Sequence, residues 1–227
     1  FFHWEAIFIF LTLYAFIVAF FVYKDLPESY TYSKQNIIES YKIVLKHKIA
    51  IKAMLALGFS FGGFFIIIAK TSFIYIEHFK IQTDYFPFFF GINFIILILM
   101  IKVNVSLLKK FNPVELVKIA ILIQTAAGIL FVFNYENISL VTIVILIAIY
   151  MSMMAFIFGN CMALALEHFP KNAGVASGVI GVLQFGLGAI ISSIALSFHD
   201  ETFLPIALSI SVISFFAYLI MRTYKNV

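Results

Sequence analysis

Charge is what this sequence has least of. Only 11% of its 227 residues are Asp, Glu, Lys or Arg, against about 25% in a soluble domain. So few charges cannot wet the surface of a soluble monomer, and a water-soluble fold is excluded. Disorder is excluded as well, because disordered chains are poor in apolar residues and this one is 63% apolar. The single cysteine, Cys161, rules out a disulfide framework and a cysteine-rich zinc site. Inside an apolar run it reads as a small packing residue. His3, His47, His78, His168 and His199 are scattered with no ligand spacing. His-Glu-x-x-His, Gly-x-Ser-x-Gly, Ser-x-x-Lys and P-loop patterns are all missing. No nucleophile is paired with a base, so the chain is expected to be no enzyme.

What is present is hydrophobic length. A membrane helix needs about 20 apolar residues to cross about 30 Å of hydrocarbon. Seven runs qualify: 4–23, 49–70, 85–103, 114–133, 138–164, 174–198 and 203–221. They lack the alternation of barrel strands and are too long for them. The fold class is therefore an all-α integral membrane protein of about seven transmembrane helices. Pro27 stops the first run, Asn112-Pro113 offers an N-cap followed by a first-turn proline, and Pro170 separates the fifth run from the sixth. Residues 134–139 and 199–202 are short polar links. Richness in Phe and Tyr suits a greasy pocket and a lipid-facing surface equally well.

Orientation follows from lysine and arginine. Thirteen of the fifteen basic residues fall on one face, from Lys24 to Lys52, Lys102 to Lys118, at Lys171, and at Arg222 and Lys225. Only Lys70 and Lys80 fall on the other. The C-terminus is thus expected in the cytoplasm and Phe1 outside. The net charge of +4 is topological, and no nucleic-acid partner is expected. Within the connection 24–48, Ile37, Ile38, Tyr41, Val44 and Leu45 recur at helical spacing, which fits an amphipathic helix at the interface and also a solvated linker with a helical stretch. The chain starts at Phe1 without an initiator Met and enters a span at once, so it is expected to be a piece of a longer protein.

Polar side chains inside hydrocarbon usually face a bundle interior or a water-filled cavity. Asn93, Gln124, Asn160 and Gln184 are the candidates for a substrate pathway. The competing reading for each is interhelical glue, worth about 0.6–2 kcal/mol per contact. Gly174, Gly178, Gly181 and Gly188 form a stripe expected to serve helix packing or gating, by letting a neighbouring helix approach and slide. Lys70 reads as a snorkelling side chain or as a counter-charge. No Asp or Glu lies deep in any span, so the usual proton site is missing.

The stretch Gly159-Asn160-Cys161-Met162-Ala163, followed by Ala173-Gly174-Val175-Ala176-Ser177 and Leu183-Gln184-Phe185, resembles the Bcr/CflA drug-resistance subfamily of the major facilitator superfamily. That subfamily typically has Pro-Asn-Ala before a loop, then Ala-Gly-Thr-Ala-Ser and Leu-Gln-Phe in its eleventh helix. Phe90-Gly91-Ile92-Asn93 is similar to a motif of its eighth helix, and Leu26-Pro27-Glu28-Ser29 to the exit of its sixth.

The resemblance implies helices six to twelve of a twelve-helix carrier. Residues 1–23 would be the last helix of the N-terminal half, 24–48 a cytoplasmic central loop with an amphipathic helix, and 49–227 the six-helix C-terminal half. It further implies proton-coupled multidrug efflux by alternating access in a bacterial inner membrane. No cofactor is implied, the proton gradient being the energy source. The implied partners are membrane lipid, small apolar or amphipathic drugs, and the N-terminal half, without which these residues are expected not to transport. Gly159 stands where the family has proline, Ser72 where it has Ser-Pro, and Lys70 has no family counterpart. The reading from another class is a seven-helix receptor or scaffold that transports nothing.

Overall fold

A computed structural model describes residues 4–26, 36–198 and 202–224. Pro27, Glu28, Ser29, Lys34, His199 and Lys225, used above, lie outside the described residues. The chain divides into two units, Phe1–Asn36 and Ile37–Val227. The first contains α1 (Glu5–Asp25), apolar on every side and about 31 Å long at 1.5 Å per residue. Leu26 closes it with a hydrogen bond to the Val22 carbonyl and is itself extended (φ −93°, ψ 109°), as the residue before a proline must be.

The second unit begins with α2 (Ile37–Lys46) and α3 (Lys48–Ser72), which continues as a π-helical turn, Phe73–His78. Then come α4 (Phe86–Leu107), α5 (Pro113–Asn134), α6 (Leu140–Ser152) and α7 (Met154–Leu166). The last are α8 (Ala173–Gly181), a second π-helical stretch Val182–Leu187, α9 (Gly188–Ser197) and α10 (Leu204–Arg222). Among the described residues these and α1 make seven helices long and apolar enough to span a membrane. The described residues form no strand. Two ends differ from the sequence reading. The second span runs on to His78 rather than stopping at 70, and the third reaches Leu107 rather than 103. In both cases polar residues inside the last turns looked like a loop, whereas only the turn beyond them ends the helix.

The caps follow side-chain chemistry. Asn112 Oδ1 accepts from the Val114 amide at 2.8 Å, with Pro113 opening α5. Ser139 Oγ accepts from Thr142 at 3.1 Å to start α6. His47 Nδ1 accepts from the Ala50 amide at 3.2 Å to start α3. That histidine ring also lies 4.5 Å from the His168 ring in the α7–α8 turn. Burial, then the neighbouring His168, pushes its pKa below the ordinary 6.5.

Helix α10 lies against α5 and α3, α3 also carries α7 and α9, and α4 rests on α6 and α7. The core has two apolar layers along the bundle. One gathers Ala53, Met54, Val117, Ile157, Cys161 and Met221 at the lysine-rich end. The other gathers Ile67, Tyr75, Phe131, Ile143, Phe203 and Ile210 at the opposite end. Between them the Tyr150 hydroxyl meets Ser214 Oγ at 2.7 Å, both buried. At the lysine-rich end, Lys52 Nζ donates to the Thr223 carbonyl at 2.8 Å and Lys118 Nζ to that of Tyr224 at 3.4 Å. These ammonium groups cover the negative end of α10, a local role beyond setting topology. At the other end, the Lys70 ammonium stands over the Phe73 ring, 5.4 Å from its centroid, a cation–π contact.

The α2 helix forms where the apolar spacing predicts it, but it buries Val44 and Ser40 while Ile37, Ile38 and Leu45 stay exposed. It bears on α8, with Ser40 Oγ donating to Asn172 Oδ1 at 3.5 Å.

Candidate functional site

Each amide named from the sequence is buried, yet they go to different places. Asn160 of α7 is paired with Asn104 of α4. Asn160 Nδ2 donates to Asn104 Oδ1 at 3.0 Å, and Asn104 Nδ2 to Asn160 Oδ1 at 3.4 Å. This reciprocal pair satisfies one donor and one acceptor on each amide and leaves the other donor and lone pair of each free for a further partner.

The pair edges a cavity of about 610 Å³ walled by α3, α4, α7 and the π-helical stretch after α8. Gln184 reaches the same cavity from that stretch, and among the described residues its side chain has no hydrogen-bond partner in the protein. A π turn accepts i→i+5 bonds and rotates the following residues out of α register, and such turns recur at functional sites. Here it aims Gln184 and Phe185 at the cavity.

Phenylalanines, with aliphatic residues such as Leu97, Ile101 and Met154, supply the rest of the wall. Phe61 is its hub, with ring centroids 5.5–6.0 Å from Phe64, Phe65, Phe158 and Phe185. The volume and the mixture of an apolar wall with a few convergent polar groups match what small-molecule sites generally have.

Gln124 and Asn93 lie elsewhere. Gln124 Nε2 donates to the Tyr150 carbonyl at 3.0 Å, joining α5 to α6. That carbonyl lies just before Met153, where the fifth span breaks between α6 and α7. The break has no proline or glycine, and two side chains enter its hydrogen-bond ladder, Gln124 at the Tyr150 carbonyl and Ser152 at that of Ile149. Asn93 Nδ2 turns back to the Phe89 carbonyl at 2.9 Å. Its Oδ1 and the buried Tyr75 hydroxyl make no well-formed hydrogen bond, although the two side chains lie close enough to interact.

Among the described residues, most of the glycine stripe of the sixth span has no helix closely packed on it. A Cβ at Gly174 or Gly181 would meet nothing within 4 Å, and at Gly178 only the Tyr41 hydroxyl at 3.9 Å. Gly188 alone is closely packed, since a Cβ there would lie 3.2 Å from the Phe65 ring. The π turn between them rotates Gly188 onto another face. Close approach is made instead by α3. There a Cβ at Gly58 would lie 2.8 Å from the Leu183 carbonyl and one at Gly62 2.7 Å from the Ile191 side chain, while one at Gly63 would run into the Tyr150 hydroxyl.

Sequence reasoning missed Asn104 and the phenylalanine cluster. Asn104 fell one residue outside the expected third span. The clustering of Phe61, Phe158 and Phe185 comes from three separate spans and has no local signal. No group of three or more His, Cys, Asp or Glu suited to a metal occurs among the described residues.

A family model described as the Major Facilitator Superfamily matches residues 1–193. The Bicyclomycin resistance protein homolog of Haemophilus influenzae is 30% identical over 230 residues, covering 96% of this chain and 57% of that protein. An uncharacterized MFS-type transporter of Bacillus subtilis, YdgK, is 25% identical over 213 residues, covering 89% of this chain and 52% of its own length. The chain thus spans about half the length of the curated relatives it matches, and the first of them fits the Bcr/CflA resemblance.

Proposed function

Because the chain belongs to the major facilitator superfamily, we propose that it is the C-terminal part of a multidrug efflux carrier. In this reading residues 1–23 are the last helix of the N-terminal half, 24–48 the central cytoplasmic loop, and 49–227 the C-terminal half, with the lysine-rich end in the cytoplasm. The observation that carries the proposal is the cavity of about 610 Å³ bounded by four different spans, with Asn104, Asn160 and Gln184 on its edge and phenylalanines on its wall. In this superfamily substrate binds near the membrane midplane between two halves, and this cavity would be the C-terminal half's share of that site.

The division of labour follows from the chemistry. Phe61, Phe64, Phe158 and Phe185 take up the apolar body of a drug. Gln184, the one cavity amide without a protein partner, bonds a polar edge, and the Asn104–Asn160 pair offers a second donor and acceptor. Gln124 is assigned to helix joining, and Asn93, whose amide is bonded back onto its own helix, is set apart from the route. The spans carry no carboxylate at mid-depth, so the group that couples efflux to protons lies in the other half of the carrier. The family assignment leaves a seven-helix receptor without an observation in its favour.

Deleting the gene in its own host tests the proposal. Accumulation of bicyclomycin, the compound named for the Haemophilus relative, or of other small amphipathic drugs should rise, and complementation should reverse it. Complementation with Gln184→Leu should change rate or substrate range at an unchanged protein level. Wild-type efflux by that variant would return Gln184 to a packing role.

A further inference from the structure

A second cavity, of about 360 Å³, opens on a neighbouring face of α4. Met100, Val103 and Leu107 of α4 line one side and Ile119 of α5 the other, over Phe156, with Phe111 closing one end. Every residue that lines it is apolar, and Val103, Ile119 and Phe111 are exposed. Its origin is topological. Helices α4 and α5 are joined by the tight turn 108–112, in which Lys110 and Phe111 both return hydrogen bonds to the Leu107 carbonyl at 2.9 Å. Beyond that turn the two helices pack on other partners, α4 on α6 and α7, α5 on α10, α7 and α6. The wedge left between them faces outward.

The wedge has a charged end. Lys109 and Lys110 stand exposed in the turn, Lys102 is exposed on α4, and Lys118 lies on α5 with its ammonium beside the Tyr224 carbonyl. Glu115, in the first turn of α5, is the acidic residue of this corner. From Met100 to Leu107 the groove runs about 10 Å along the helix, two-thirds of one leaflet of a hydrocarbon core about 30 Å thick. An apolar slot two-thirds of a leaflet long with lysines at its mouth matches the upper part of an acyl chain carrying an anionic headgroup, as basic pockets beside membrane helices do elsewhere.

We propose that the groove between α4 and α5 binds an anionic phospholipid, one acyl chain lying along Val103 and Ile119 and the phosphate resting on Lys109 and Lys110. The site is separate from the cavity that holds Gln184 and stands whether or not the chain exports drugs.

The test is thermal unfolding of the purified full chain in detergent, with added phosphatidylglycerol or with phosphatidylcholine of the same acyl chains, alongside native mass spectrometry. Phosphatidylglycerol should raise the midpoint by several degrees more than phosphatidylcholine and should be retained in the gas phase. The Lys109→Gln/Lys110→Gln double variant should lose that difference. Ile119→Trp, which fills the groove from an exposed position, should lose lipid retention with its lysines intact. Both should melt like the unsubstituted chain in lipid-free detergent. Equal stabilisation by the two lipids, or an undiminished preference in both variants, would overturn the site. So would a full shift with glycerol 3-phosphate alone, which would mark a bare anion site, or displacement of the lipid by a second copy of the chain.

Discussion

Asn104 and Asn160 hold each other through two hydrogen bonds across α4 and α7, so either one alone loses its partner when the other is replaced. A double-mutant cycle of Asn104→Leu and Asn160→Leu should give a coupling of about 0.6–1.7 kcal/mol, the range for interhelical polar contacts in a bilayer. Additive losses in unfolding assays would show that the pair is not energetically linked. His47 supports a prediction on pH. Its Nδ1 caps α3 only while it keeps its lone pair, which protonation removes. Burial and His168 lower its folded pKa, so the unfolded chain takes up a proton first. The stability it contributes is complete above about pH 6.5 and is lost as pH falls through the lower, folded value. Melting curves from about pH 8 to about pH 5 should therefore drop more for the unsubstituted chain than for His47→Asn, which keeps a cap and does not titrate. At this scale the sequence supplied residue type and depth but not direction. Asn160 and Gln184 could be singled out because they interrupt apolar runs, while Asn104 was hidden by Lys102 two residues earlier.

Helices are where reading and structure agree best, and the reason is length. A run of about 20 apolar residues has few alternatives in a membrane, so each expected span became a helix or a helix pair. Interruptions within spans were not legible. The π-helical stretches at Phe73–His78 and Val182–Leu187 and the break at Met153 carry no proline, and at the break the Gln124 amide takes the Tyr150 carbonyl, a tertiary contact with no local signal. The consequence is clearest for glycine. Periodicity favoured Gly174, Gly178, Gly181 and Gly188, yet the crowded glycines belong to α3. Gly63→Ala would drive a methyl into the Tyr150 hydroxyl, which is itself bonded to Ser214, and should destabilise the fold by about 1–3 kcal/mol, the usual cost of overpacking. Gly181→Ala meets open space and should be neutral or stabilising by up to about 1 kcal/mol, since alanine favours helix. Equal effects of the two substitutions on unfolding would contradict this assignment of the seam.

For the molecule as a whole, composition alone excluded a soluble fold, and the stretch from Asn160 to Phe185 pointed to the family that the comparisons support. The cavity was not legible, because its wall is assembled from α3, α4, α7 and the π turn after α8, residues up to 124 positions apart in the case of Phe61 and Phe185. In the proposed carrier that cavity is the drug-facing wall. Photolabelling tests it most directly, with the protein in its native membrane and an aryl-azide analogue of an uncharged aromatic drug. Adducts should map to peptides carrying Phe61, Phe158 and Phe185. They should fall at least about tenfold in Gly159→Phe, equivalent to about 1.4 kcal/mol of binding, because Gly159 lines the cavity and has open space at its Cβ position. Adducts confined to other helices, or labelling undiminished by Gly159→Phe at an equal protein level, would contradict the central claim.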